Sequence, residues 1–446
     1  MKHSRFVTLF TALAAAALIL GACAPAATPT AAPTTAPQPT TAPEPTAAPT
    51  TAPTPVTLHI MHNWADTDPK GPILKQVFDE FMAANPDIKL EVEVFSDLDI
   101  PVKVETAFTA GQEPDVVFNN YAGSKQTWID QGVVIPVNDL IKEWGFEGNF
   151  LPVALDSATD KKGRVVGFPI EGFTWPVWYN TKIFKAAGVE IPKTVDELIA
   201  ASKKIRAAGY EPFATGGNDW SGYAVFTTIT QLPMTDEQMR TVYGNGGFST
   251  DPVAKQGVEL FTRLRDEGVF AKNTEGVDAD AMTEMFFTEK AAMMQAGSWS
   301  YGALPPAMAD HVALGGFPVL DGSTVHTKPV IYAGFGKAVW ITRNGAKKLD
   351  AVERFIKFLF SEKSLLKFIE GVGMPSPLTT VNADPTKLSA FIVQSVDYVK
   401  GVEVIDITDN YVPQDKFNDL YRASSTAFIP DTPPSEIEKA LDAIYP

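Results

Sequence analysis

Cysteine is almost absent: Cys23 is alone in a chain of 446 residues, so no intramolecular disulfide can form and stability has to come from packing. Histidine is also scarce, with five in all; His59 and His62 lie three apart on an expected strand, which puts them on opposite faces rather than on one metal ion. There is no second cysteine for a metal pair, no GxSxG elbow, no HExxH, no P-loop and no GxGxxG following a strand. No catalytic residue, metal or cofactor is therefore expected. Lys and Arg number 37 against 53 Asp and Glu, for a net charge of −16, and they do not cluster, which argues against nucleic acid and anionic lipid surfaces as partners. Long hydrophobic runs are missing too, since the apolar stretch Phe6 to Leu20 is too short to span a bilayer.

That short stretch has its own meaning. Lys2 and Arg5 precede it as a positive region, and small residues follow in Leu20-Gly21-Ala22-Cys23. The junction resembles the lipobox of bacterial lipoproteins, which implies a signal peptide over residues 1–22 and lipidation of Cys23 as the first residue of the mature chain. Removing Lys2 and Arg5 would take the net charge from −16 to −18. From Ala24 to Pro55 the chain is built of Ala, Pro and Thr apart from Gln38 and Glu44. Proline fixes φ and removes donors, so residues 23–55 are expected to form an extended linker reaching on the order of 100 Å from a membrane.

Beyond it, Val56 to Pro446 is longer than one hydrophobic core usually organises, and two lobes are expected. Val56-Thr57-Leu58-His59-Ile60 alternates as a strand. Pro72 opens a helical stretch with Ile73, Val77, Phe78, Phe81 and Met82 on one face, stopped at Asn85-Pro86, and Ile88 to Val94 alternates again. This is a βαβ opening. Asp115-Val116-Val117-Phe118 reads as a short buried strand delivering Asn119, Asn120 and Tyr121 at its C-terminal end, where ligands sit in open α/β sheets. Thr194-Val195-Asp196-Glu197 matches a capping box, and Ala346 to Phe360 reads as a further long helix. The pattern predicts an α/β fold with mostly parallel sheets.

The tryptophans are unusually placed. Trp64 directly follows the first strand, Trp175 and Trp178 flank Pro176, Trp220 sits in Gly216-Gly217-Asn218-Asp219-Trp220, and Trp299 sits in Gly297-Ser298-Trp299. Any one of them is consistent with a ring finishing the edge of a core. As a set, aromatic faces beside carboxamides and carboxylates suit a sugar, whose C–H faces they cover while Asn, Asp and Glu meet its hydroxyls. Asp115 and Tyr179-Asn180 are read as structural, holding backbone groups at turns.

An ordered series of segments carries a wider resemblance: Trp64; Phe78-Asp79-Glu80-Phe81; Pro86-Asp87-Ile88-Lys89; Ala110 to Val117; Gly163 to Ile170; Tyr179 to Gly188; Pro192 to Leu198; and Phe287 to Trp299. The chain resembles the extracellular solute-binding proteins of ABC importers, in the carbohydrate-binding branch that includes maltose-binding protein. The resemblance implies a two-lobed periplasmic-binding-protein-like α/β fold (class II), its lobes joined by hinge strands around a cleft. Carried over by position, residues 56–170 with 328–373 form the first lobe and 171–327 with 374–446 the second. It implies ligand-binding roles for Asn63, Trp64, Asp66, Asn119, Asn120, Glu171 and Trp299, to which the Gly-Gly approach adds Asp219 and Trp220.

The function implied is capture of a neutral mono- or oligosaccharide outside the cytoplasmic membrane and delivery to an ABC permease. The chain would act as a monomer held to the membrane by its lipid alone, without enzymatic activity. Asn119 stands where the maltose-binding pattern has an aromatic, which puts a maltodextrin in doubt. A different solute, such as a polyamine, a metal complex or glycerol phosphate, stays open, although the expected pocket segments contain no Arg and no Lys cluster for an anion. A lipid-anchored glycan hydrolase is a further alternative, since 53 acidic residues offer many carboxylate pairs.

Overall fold

In a computed structural model of the chain, residues 55–445 are described except 98, 122 and 123. The first strand and its neighbours form as their alternation requires. β1 (Val56–His62) and β2 (Ile88–Val94) pair in parallel across the intervening Lys70–Ala84 helix, Leu58 and Ile60 turning inward. β3 (Val116–Asn120) lies on the other side of β1, also parallel. Asn85 ends the helix at its C-cap.

β4 (Phe168–Trp175) and β5 (Val177–Asn180) follow, separated by Pro176 alone. β6 (Glu211–Ala214), β7 (Ala291–Gln295) and β8 (Val312–Gly315) join β5 in a second sheet of order β6-β7-β5-β8. β9 (Val330–Ile341) and β10 (Glu403–Ile405) return to the first, whose order is β10-β9-β3-β1-β2 with β4 also paired to β9. The sheets are mixed rather than mostly parallel. β9 runs antiparallel to β3 and β4, and β5 antiparallel to β7 and β8. A parallel partner needs a long crossover, whereas β4 and β9 carry the chain between the two layers in opposite directions and pair directly.

Two large apolar cores divide the described chain. Leu58, Phe118, Ile170 and Trp340 belong to one; Phe173, Tyr179, Phe261 and Tyr332 belong to the other. Along β4 the change of core falls between Ile170 and Phe173, and along β9 between Tyr332 and Ala338. The β4–β9 ribbon thus bridges the cores. Local signals acted as expected elsewhere: Thr194 and Glu197 form a capping box on the Val195–Ala207 helix, and Leu349–Leu359 is helical after a 3₁₀ turn at Gly345–Lys348.

Candidate functional site

The first wall is built where β1 ends. His62 Nδ1 accepts the Trp64 N–H at 3.1 Å and so closes the turn through Asn63. Burial, and then the nearby Lys337 charge, push the His62 imidazole down to about 4, which keeps it a neutral acceptor. The Trp64 ring is 1% exposed and packs against Phe118 and Phe368. Gly71 lets the next helix approach this turn: a Cβ there would lie 2.0 Å from the Ala65 carbonyl oxygen. The close approach sets Lys70, the first residue of the helix, above the Trp64 ring, with Nζ 5.2 Å from its centre.

A buried ion network joins this wall to the bridging ribbon. Lys70 Nζ donates to Glu171 Oε1 at 2.6 Å and lies 3.4 Å from Asp68 Oδ2. Lys337 Nζ donates to Asn63 Oδ1 and, at 3.0 Å, to Asp97 Oδ1, and lies 3.9 Å from Glu171 Oε2. Glu171 and Lys337 are register partners across β4 and β9. Burial alone would neutralise both members of the Lys70–Glu171 pair. For Lys70, the carboxylates of Glu171 and Asp68 outweigh it and raise the ammonium; for Glu171, the charges of Lys70 and Lys337 outweigh it and lower the carboxyl. The pair is ionised at neutral pH.

The opposite wall is aromatic. Gly297 turns the chain after β7 and presents Trp299, and the turn is stitched to β4 by the Thr174 N–H, which donates to Ser298 Oγ at 3.2 Å. Trp299 meets Phe173, Trp175 and Trp220 at ring-centre distances of 6.1, 5.1 and 5.9 Å, and Trp175 meets Trp220 at 5.6 Å. Trp299 also approaches the first wall, its ring centre 5.7 Å from Lys70 Nζ. The indole N–H of Trp175 is buried and without a hydrogen-bond partner. Such an arrangement gives hydroxyl-binding groups on one side, ring faces on the other and a strand as floor. That suits a small polyhydroxylated solute.

Residues 64–365 match the family described as bacterial extracellular solute-binding protein. The chain belongs to that family. A multiple sugar-binding protein of Streptococcus mutans is 25% identical over 332 residues, covering 70% of this chain and 73% of its own. An sn-glycerol-3-phosphate-binding periplasmic protein of Salmonella typhimurium is 25% identical over 326 residues, covering 69% and 71%. The crystal structure of a probable secreted solute-binding lipoprotein from Streptomyces coelicolor superposes with a TM-score of 0.75 at 34% identity, covering 88% of this chain and 98% of that one.

In this solute-binding protein the expected site residues have divergent fates. Asn63, Trp64, Glu171, Trp220 and Trp299 come together around Lys70 and the ribbon. Asn120 ends β3 half-buried, opposite Lys337 in register, and Asp66 is exposed on the turn. Three of the expected residues are engaged by other groups of the protein. Both Asp219 oxygens are committed to backbone N–H groups, Oδ1 to Ser221 at the start of the Trp220–Thr230 helix and Oδ2 to Ala279 at 2.6 Å, so it holds local structure. Asn119 is 1% exposed on the face of β3 opposite Phe118, and its backbone carbonyl accepts the Trp340 indole N–H. Trp64 is a packed platform beneath Lys70 rather than an open ring face.

The expected pocket segments contain no Arg and no Lys cluster, yet the fold brings two lysines, Lys70 and Lys337, to these residues. Lys70 lies just past the Trp64 turn and was within reach of sequence reasoning; Lys337 enters only through its register with Glu171. Trp175, which in the sequence is marked only by flanking Pro176, joins the aromatic wall through Trp220 and Trp299. Trp178 is fully buried core. Asp115 Oδ2 accepts the His59 N–H of β1 at 2.8 Å, and Asn180 caps the Thr181–Ala187 helix, both structural as read. Cys23 lies outside the described residues. Among the described residues no group of three or more His, Cys, Asp or Glu is placed to hold a metal, and no helix is long and apolar enough to cross a membrane.

Proposed function

We propose that this chain is the solute-capturing component of an ABC importer and that its solute is a neutral carbohydrate, delivered to a permease outside the cytoplasm. One observation carries the reading: Lys70, in a buried ionised pair with Glu171 of the ribbon that bridges the two cores, lies 5.7 Å from the centre of the Trp299 ring. Carboxylate and ammonium meet hydroxyls as acceptor and donor, and the indoles cover the C–H faces of a sugar ring. The multiple sugar-binding relative supports this assignment.

The lysines do not favour an anionic solute, because Glu171, Asp97 and Asp68 outnumber Lys70 and Lys337 around them. The sn-glycerol-3-phosphate-binding relative keeps that class as the comparison to run. The lobes are proposed to hinge on the β4–β9 ribbon and to close on solute, and Cys23 to tether the monomeric protein by lipid, its solute-binding role requiring no catalysis.

A thermal-shift screen of neutral mono- and oligosaccharides against glycerol phosphate and polyamines tests the solute class. A ligand at 100 times its dissociation constant adds about 2.7 kcal/mol to stability. Stabilisation by sugars is the expected result; stabilisation by glycerol phosphate or a polyamine alone would replace the carbohydrate reading.

A further inference from the structure

The β4–β9 ribbon has two unlike ends. Glu171 pairs in register with Lys337 at one, and Trp175 with Tyr332 at the other. Glu171 and Trp175 are four residue steps apart on β4, about 13 Å along the strand, longer than a single pyranose ring with its hydroxyls. At the Glu171 end the groups are ionic. At the Trp175 end they are aromatic: Trp175 sits 6.1 Å from the buried Tyr332 and 5.6 Å from Trp220, and Trp299 borders both ends through Lys70 and Trp175.

Trp220 decides what the second end is for. It opens the Trp220–Thr230 helix, where every residue from Ser221 to Thr230 is buried, yet Trp220 itself is 40% exposed. An indole held in a three-tryptophan cluster with part of its surface in water leaves apolar area that a second ring can cover. The buried Trp175 indole N–H, with no partner in the protein, adds a donor beside that surface.

We infer that the site contains a second sugar subsite, formed by Trp175 and Trp220, so that the solute is an oligosaccharide of at least two rings; this rests on the carbohydrate reading above. One ring meets Glu171 and Lys70 against Trp299. The next lies on the exposed face of Trp220, which makes Trp175 and Trp220 determinants of chain length.

Titration calorimetry on the mature protein with homologous series (glucose, maltose and maltotriose; glucose, cellobiose and cellotriose; N-acetylglucosamine and its di- and trimer; xylose and its di- and trimer) tests it. In the series that binds, the dimer should bind about tenfold or more tighter than its monosaccharide. Trp220→Ala, at a half-exposed position, should lower dimer affinity about tenfold more than monosaccharide affinity and so abolish that advantage; Trp175→Phe, which keeps a ring in the cluster, should reduce it. A monosaccharide that binds as tightly as its dimer, or a Trp220→Ala loss equal for both, would overturn the second subsite while leaving the carbohydrate reading intact. Failure of every sugar to bind, in a protein stabilised by glycerol phosphate or a polyamine, would overturn both.

Discussion

The Lys70 ammonium lies 5.7 Å from the centre of the Trp299 ring, and it is the same ammonium that bonds Glu171. Lys70 begins a helix packed on the first core, and Trp299 packs against the second. A single charge therefore touches the first wall, the ribbon and the opposite wall. A partly desolvated cation over an indole contributes about 1 to 2 kcal/mol, so this contact couples the charge network to the aromatic wall.

The Lys70–Glu171 pair should behave as a unit. Their side chains are 5% and 11% exposed, and removing one partner leaves the other charge buried. Lys70→Met and Glu171→Gln should each lower the unfolding free energy by about 3 kcal/mol, and the double variant by clearly less than the sum. Denaturant unfolding of the four proteins measures this. Strictly additive losses would show that the pair is not an energetic unit.

Trp299 should carry much of the affinity. Trp299→Ala is expected to weaken binding of the screened sugar by roughly 30- to 1000-fold, the equivalent of about 2 to 4 kcal/mol. Gly297→Ala provides a subtler test, because a Cβ there would lie 2.2 Å from the Trp299 ring and force the indole to swing. Affinity should fall in Gly297→Ala with the far-ultraviolet dichroism retained. Wild-type affinity in both variants would return Trp299 to a packing role.

Acid should destabilise the protein through His62. Its folded pKa of about 4 lies below the ordinary 6.5, so between those values the unfolded chain binds a proton that the folded chain refuses. Stability from the neutral imidazole is complete above about pH 6.5 and is lost as the pH falls towards 4, a change of up to about 3 kcal/mol. Lys337 reinforces the effect and Asp66 opposes it. Unfolding free energies at pH 7 and pH 4 should differ less in His62→Gln than in the wild type. Equal differences in the two proteins would remove His62 as the source.

Anchoring should depend on Cys23. Cys23→Ser is expected to abolish lipid modification and to leave the protein either unprocessed or released, which fractionation with radiolabelled fatty acid detects. A variant that remains as firmly membrane-bound as the wild type would sink the lipid-anchor proposal.

Much of the fold was legible because its signals are local. The βαβ opening follows from alternation in Val56–His62 and Ile88–Val94 around a helix with one apolar face, and the capping box at Thr194 and Glu197 specifies its helix start by chemistry three residues apart. The antiparallel pairings of β9 were not legible, since register between segments more than 150 residues apart leaves no mark on either one.

The site divides in the same way. The sequence by itself determined that aromatic rings and carboxamides stand at loop positions and that a single cysteine leaves no intramolecular disulfide to support the fold. Only the tertiary structure decided what those residues do. It buried Trp64 beneath Lys70, spent Asp219 on two backbone donors, turned Asn119 to the face away from Trp64, and set Lys337 opposite Glu171. The physical reason is that exposure, charge pairing and ring stacking are properties of neighbours brought together from distant segments. A residue's type limits what it can offer, and its packing decides whether any of that remains free for a solute.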